Sequence, residues 1–227
     1  RVMTETPPVL PPELRSAVLD DLRPVKPLPS PQRRALMAAP IVVGVLLMPL
    51  AYHRMRDTSE LGVMLSWVPV ALQVFLAFGL LVIALREGIP GWRVSTRQIF
   101  GFVLAAYSLQ IVVNLLIFMQ MPMDGGGAGA FAMWMSCFGV ETLIGLPILV
   151  LIAWMVSRAL PSRPLLAGFL AGTGAGFAAE ASWRMFCAYS DPGHVLLGHT
   201  GGILILGLTG FLLGYVWSIY QDRSATA

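Results

Sequence analysis

Six apolar runs dominate this 227-residue chain, at roughly 35–52, 62–85, 99–121, 130–156, 165–183 and 195–219. A helix that crosses a hydrocarbon core needs about 20 mostly apolar residues, and each run comes near or above that length. None alternates polar and apolar residues for long enough to build a barrel strand. In lipid the backbone polar groups must be satisfied within the segment, so runs of this kind fold as helices. The expected fold is an all-α integral membrane protein of six transmembrane helices. Only 12% of the residues are charged, against about 25% in a soluble domain, too few to cover a water-facing surface. Pro40, Pro69 and Pro147 fall inside the first, second and fourth runs, where neighbouring helices satisfy the freed carbonyls.

Residues 1–34 are a different material, crowded with Pro7, Pro8, Pro11, Pro12, Pro24, Pro27, Pro29 and Pro31. Within them Pro12 to Leu22 reads as a short helix, opened by one proline and stopped by Pro24. Leu14, Val18 and Leu22 follow at i, i+4, i+8 and make one thin apolar stripe. About three turns is marginal for a lone helix in water. The segment is therefore either a tether with an accidental stripe or a partner-docking helix on a stiff Pro-rich spacer. Arg33-Arg34 resemble an export signal, but no cleavage site follows and five further apolar runs do. They read as the positive flank of the first span. The chain opens on Arg1 rather than methionine, so its natural start is expected upstream.

Charge sets the expected orientation. Arg1, Arg15, Arg23, Lys26, Arg33 and Arg34 precede the first run; Arg86, Arg93 and Arg97 follow the second; Arg158 and Arg163 follow the fourth; Arg223 lies in the tail. Only Arg54, Arg56 and Arg184 fall on the other side. The positive-inside rule then places both termini in the cytoplasm. The expected organisation is a cytoplasmic partner-binding segment over 1–34, a membrane domain over 35–220 and a cytoplasmic tail over 221–227. The net charge of +3 is spread through short links, which reports topology and gives no sign of direct nucleic-acid binding.

The link after the fifth run, Trp183 to His194, faces outward in this scheme and carries Cys187 and His194, with His199 just beyond. Cys137, the other cysteine, lies about two turns into the fourth run from its outer end, roughly 10 Å. Thiolate and imidazole suit zinc and other soft or borderline cations, so Cys187, His194, His199 and Cys137 are candidate metal ligands. No Cys-x2-Cys pair supports that reading. A Cys137–Cys187 disulfide in an oxidising compartment and a pair of plain buried thiols stay open beside it. His199 could instead hydrogen-bond within the start of the sixth run, and His53 beside Arg54 is expected to be solvated.

Glu141 and Glu180 lie inside the fourth and fifth runs, and an intramembrane carboxylate is a functional candidate by default. Cys137 and Glu141 share a helix face at i, i+4; Glu180 and Arg184 at the same spacing could form an ion pair. Glu141 could equally be a neutral, hydrogen-bonded carboxyl. Gly168, Gly172 and Gly176 recur every fourth residue, and Gly207, Gly210 and Gly214 punctuate the sixth run. Small residues so spaced allow close helix contact in lipid. The chain has no serine–histidine–acid grouping, no HExxH and no phosphate loop, and its glycines do not fit a dinucleotide site. No enzyme is expected, and no cofactor beyond a metal ion acting as a signal.

Two ends of the chain together resemble the NrsF-like family. Asp20 to Arg34 is similar to its N-terminal signature: a leucine, a basic-Pro pair, a Pro-rich spacer and a basic flank before the first span. Pro164 to Gly168 and the glycine-rich fifth run resemble its penultimate helix. Trp183-Arg-Met-Phe-Cys187 is similar to an aromatic-x-x-His-Cys motif, His199 and the glycines after it to the start of its last helix, and Cys137 stands where the family has its other cysteine. The resemblance covers nearly the whole chain. It implies an anti-sigma factor of the bacterial inner membrane, whose N-terminal segment sequesters an extracytoplasmic-function sigma factor until an outer-side signal releases it. Leu22, Arg23, Pro24, Val25 and Pro27 would then belong to the sigma contact, and Cys137 and Cys187 would be the sensing thiols; the docking-helix reading adds the stripe residues Leu14 and Val18 to that contact. Phe186 departs from the family by replacing the histidine before the cysteine, and no proline follows that cysteine directly. Both departures favour a thiol switch over a histidine-assisted metal site.

Two rival readings remain. A small transporter or ion carrier would need Glu141 and Glu180 on a water-filled path. A membrane thiol oxidoreductase would need rapid exchange with an external partner, without a Cys-x2-Cys to perform it.

Overall fold

The computed structural model describes residues 11–21, 28–52, 55, 62–91, 93–120, 128–187, 189 and 191–226. Among these the regular structure is helical, with no strand. The order is α1 (Pro12–Asp21), α2 (Pro31–Leu47) with a 3-10 turn (Met48–Ala51), α3 (Gly62–Glu87), α4 (Thr96–Gln120), α5 (Ala128–Ser157) and α6 (Pro164–Arg184). A single turn, α7 (Pro192–His194), then leads through a π-helical turn (Val195–Thr200) into α8 (Gly201–Thr226). All six expected runs are helices.

Among the described residues, five helical stretches are long and apolar enough to cross a membrane: Pro31–Ala51, Gly62–Glu87, Thr96–Gln120, Phe131–Ser157 and Val195–Gln221. The sixth expected span, α6, has 21 residues, about 30 Å at 1.5 Å per residue, so its length suffices. Its glycines, Thr173, Glu180, Ser182 and Arg184 dilute its apolarity. The physical reason is its position: α3, α5 and α8 pack around it, and it is buried almost throughout, from Ala167 to Arg184. A helix that faces protein on all sides has no need of a lipid-soluble surface.

The glycine spacing does what the sequence suggests. A Cβ on Gly168 would overlap the Gly210 carbonyl of α8, and one on Gly172 would overlap the Leu206 carbonyl. The two backbones are in direct contact, which only hydrogen side chains permit.

The helix starts hold one end of the bundle together. Ser30 caps α2, its Oγ accepting from the Arg33 N–H at 3.3 Å, and Pro31 takes the first turn. The helix thus begins earlier than the apolar run. Arg34 is consequently no solvated flank: it is buried and donates to the Met155 carbonyl of α5. At the same end Glu87, fully buried at the close of α3, accepts from the Val94 N–H at 2.8 Å and from Arg163 Nε at 2.7 Å. Arg163 Nη2 also donates to the Val94 carbonyl at 2.9 Å. The α3–α4 and α5–α6 links therefore meet, as the charge count requires of links on one side. Removing one partner of a buried pair strands the other. Arg163→Met is expected to destabilise the bundle by about 3 kcal/mol, the low end of the usual range because Arg163 keeps some water contact. Thermal unfolding in detergent checks it; an unchanged midpoint would mean that the pair is not formed.

Candidate functional site

The opposite end of the bundle is built by the return from α6 to α8. Past Arg184 the chain turns tightly, the Phe186 and Cys187 N–H groups both donating to the Trp183 carbonyl at 2.9 Å. This folds Cys187 back under the end of α6, where it is buried. Asp191 Oδ2 then accepts from the His194 N–H at 2.9 Å and starts the next helical turn. His194 and His199 are five residues apart. In a regular α-helix that step rotates a side chain by about 500°, leaving the pair about 140° apart. The π-helical turn over Val195–Thr200 widens the spiral to an i+5 repeat and brings both rings to one face.

The result is a cluster of buried donors. Cys137 Sγ lies 3.8 Å from Cys187 Sγ. Cys187 Sγ lies 3.2 Å from His194 Nε2, and His194 Nε2 lies 3.2 Å from His199 Nε2. On its other edge His199 Nδ1 donates to Glu180 Oε2 at 2.5 Å, with Glu141 Oε2 at 3.3 Å from the same nitrogen. Gln110 and Gln73 reach Glu180 Oε1 at 3.5 and 3.4 Å, and Gln73 Nε2 donates to Gln110 Oε1 at 2.7 Å. Relative exposure is 7% for Cys137, 4% for Cys187, 0% for His194, His199 and Glu141, and 1% for Glu180. Contact with Cys137, and then burial, hold the Cys187 thiol above the ordinary thiol range.

Two glycines make the room. A Cβ on Gly198 would lie 3.2 Å from the Trp134 carbonyl of α5, and one on Gly202 would lie 2.7 Å from Glu141 Oε1. Bare backbone at these places lets α5 bring Cys137 and Glu141 up to the histidines.

Several expectations are thereby resolved in geometry. Cys137 and Cys187 do meet. His199 does hydrogen-bond, but across the bundle. Glu180 turns to His199 rather than forming an ion pair with Arg184. The exchange of histidine for Phe186 does not deprive the cysteines of imidazole, because His194 and His199 supply two. Glu141 and Glu180 are both buried and face His199. Gln73 and Gln110 were not singled out from the sequence, although a glutamine inside an apolar run was a visible signal.

The N-terminal candidates are only partly described. Leu14 and Val18 lie on α1, and Leu14 is half exposed. Leu22, Arg23, Pro24, Val25 and Pro27, like His53, lie outside the described residues.

Residues 19–218 match the family described as negative regulator of sigma F. The chain belongs to this NrsF family. The matched stretch runs from the Leu22 to Pro27 segment through both cysteines and most of α8. Among its relatives, a protein of Azospira oryzae named probable anti-sigma-F factor NrsF is 27% identical over 190 residues, covering 81% of this chain and 86% of that protein. The anti-sigma-F factor NrsF of Caulobacter vibrioides is 27% identical over 196 residues, covering 83% and 88%. No solved structure matches. The family name describes a regulatory role.

Proposed function

We propose that this NrsF-family chain is an anti-sigma factor of the bacterial inner membrane, with both termini in the cytoplasm. It holds an extracytoplasmic-function sigma factor on residues 1–34 and releases it when a thiol or metal signal reaches Cys137 and Cys187 from outside. Leu14, Val18, Leu22, Arg23, Pro24, Val25 and Pro27 form the contact. The sigma factor and the bilayer are the partners; DNA is not touched directly.

The observation that carries this reading is the placement of α2. It continues directly from the N-terminal segment and spans 17 residues, about 25 Å. Arg34 ties its first turn to α5. At its other end Ser182 Oγ of α6 donates to the Leu46 carbonyl at 2.6 Å, and Val45 and Leu46 pack on the group of Cys137, Trp183 and Cys187. One helix thus packs on the apolar group that holds both cysteines and follows the partner-binding segment in the chain. A rearrangement of the sulfurs shifts α2, and α2 shifts the segment. The lysine and arginine distribution and the half-exposed Leu14 support the same arrangement.

The test uses the full chain in nanodiscs, offered each extracytoplasmic-function sigma factor of the host. Native protein is expected to capture one of them. Leu22→Asp puts a carboxylate into an apolar contact and is expected to weaken capture roughly 30-fold or more, the effect of losing about 2 kcal/mol at a hot spot. No capture by the native chain, or equal capture by the variant, would overturn the reading.

A further inference from the structure

The four donor atoms of the sulfur–imidazole cluster come from separate parts of the fold, yet all lie within 4.8 Å of one another. We propose that Cys137 Sγ, Cys187 Sγ, His194 Nε2 and His199 Nε2 form a closed tetrahedral site for one divalent cation of the zinc class. As the receiver of a signal, this site rests on the anti-sigma reading; as a metal centre, it stands on its own geometry.

The distances fit a metal. Metal bonds of about 2.3 Å to sulfur and about 2.0 Å to nitrogen, at tetrahedral angles, separate two sulfurs by about 3.8 Å, two nitrogens by about 3.3 Å, and sulfur from nitrogen by about 3.5 Å. The sulfurs lie 3.8 Å apart, the histidine nitrogens 3.2 Å, and Cys187 Sγ lies 3.2 Å from His194 Nε2. The two sulfurs are spread as ligands of one ion are.

Charge narrows the cation. Two thiolates and two neutral imidazoles cancel a charge of two, and a neutral centre is what a buried location tolerates. Two sulfurs and two nitrogens suit zinc or cadmium and disfavour magnesium or calcium, which take oxygen. On binding, two metal–sulfur and two metal–nitrogen bonds form as the ion's bound waters leave, the two thiol protons pass to water, and no electron moves.

The surroundings fit as well. A histidine ligand usually donates its second ring N–H to a carboxylate, which fixes the tautomer and aims the free nitrogen at the metal. Glu180 stands in that place for His199, 2.5 Å from Nδ1, and is itself held by Gln110 and Gln73. Glu180 is thus a positioning residue.

The experiment titrates purified, reduced, metal-stripped full-length protein with cobalt(II) chloride in detergent. One equivalent is expected to develop the visible bands of tetrahedral cobalt and a sulfur-to-cobalt charge-transfer band, and zinc chloride is expected to bleach both. Cys137→Ser is expected to remove most of the charge-transfer intensity, and His194→Ala to shift the visible bands. Glu180→Gln is expected to keep the tetrahedral bands while weakening affinity roughly 10–100-fold, a pairing that a purely structural role would not give. A native chain that is folded by circular dichroism and shows no tetrahedral cobalt bands overturns the proposal without any variant. Bands unchanged in both His194→Ala and His199→Ala overturn the four-ligand set. No sigma factor is present, so failure here leaves sequestration standing, and failed capture leaves the metal centre standing.

Discussion

Gly172→Leu is expected to dismantle the bundle. Gly172 sits where α6 meets the backbone of α8, and even a Cβ there would overlap the Leu206 carbonyl. The obstacle is main chain rather than the end of a flexible side chain, so it cannot rotate away. The helices would have to separate, and α6 packs more extensively on α8 than on any other helix. Separation would expose Glu180, Ser182 and Thr173, which are buried, to a medium that offers them no hydrogen bonds. Overpacking of a well-filled core costs about 1–3 kcal/mol, and the lost polar shelter adds to it. Little monodisperse protein should survive extraction into mild detergent. A Gly101→Leu control adds the same side chain on α4, where no atom stands within 4 Å of a Cβ, and should behave like the native chain. Equal recovery of the two variants would mean that α6 and α8 are not in backbone contact.

Cys187→Ser is expected to make the regulator blind to its signal. Turning a partner from almost wholly bound to almost wholly free takes about 5.5 kcal/mol of difference between the two states. A disulfide typically contributes about 2–4 kcal/mol, enough for a partial shift. A metal held by thiolates and imidazoles supplies about 10–16 kcal/mol of binding free energy in small zinc domains, of which a fraction suffices. Both routes pass through Cys187. A sigma-dependent reporter in cells given a thiophilic divalent metal, or a thiol oxidant, should lose induction in Cys187→Ser and equally in Cys137→Ser. Induction as in the native strain would remove the cysteines from the switch. Full reporter output without any signal would show the opposite sign, with the thiols holding the resting state. The two stimuli also separate the chemistries: His194→Ala should blunt the metal response more than the oxidant response, since a disulfide needs no imidazole.

Much of this protein is legible in one dimension because lipid allows so few solutions. A run of about 20 apolar residues has to be a helix, so the all-α class and five of the six long membrane helices follow from hydropathy alone; the more polar α6 follows from its length and its place between the others. Glycines at every fourth position announce close packing for the same reason: in lipid, shape is most of what holds helices together. The common end of the α3–α4 and α5–α6 links follows from the parity of the spans. Periodicity even marks Cys137 and Glu141 as neighbours on one face.

The functional cluster was legible only as a set of suspects. Cys137, Cys187, His194, His199, Glu141 and Glu180 could each be named, but not joined. Cys137 and Cys187 are fifty positions apart, and no local rule carries across that interval. The i+5 spacing of the histidines argues against a shared face in an α-helix and becomes favourable only through the π-helical turn over Val195–Thr200. Glu180 was four residues from Arg184, the partner that local spacing suggests, yet the fold delivers His199 from another helix. Helix formation is decided by the balance between backbone and lipid at each position, which sequence records directly. Which side chains meet is decided by how six helices rotate and settle against one another, a balance of many small contacts spread over the whole chain. That is why the sequence determined the spans, and only the tertiary structure brought two thiols and two imidazoles to one point.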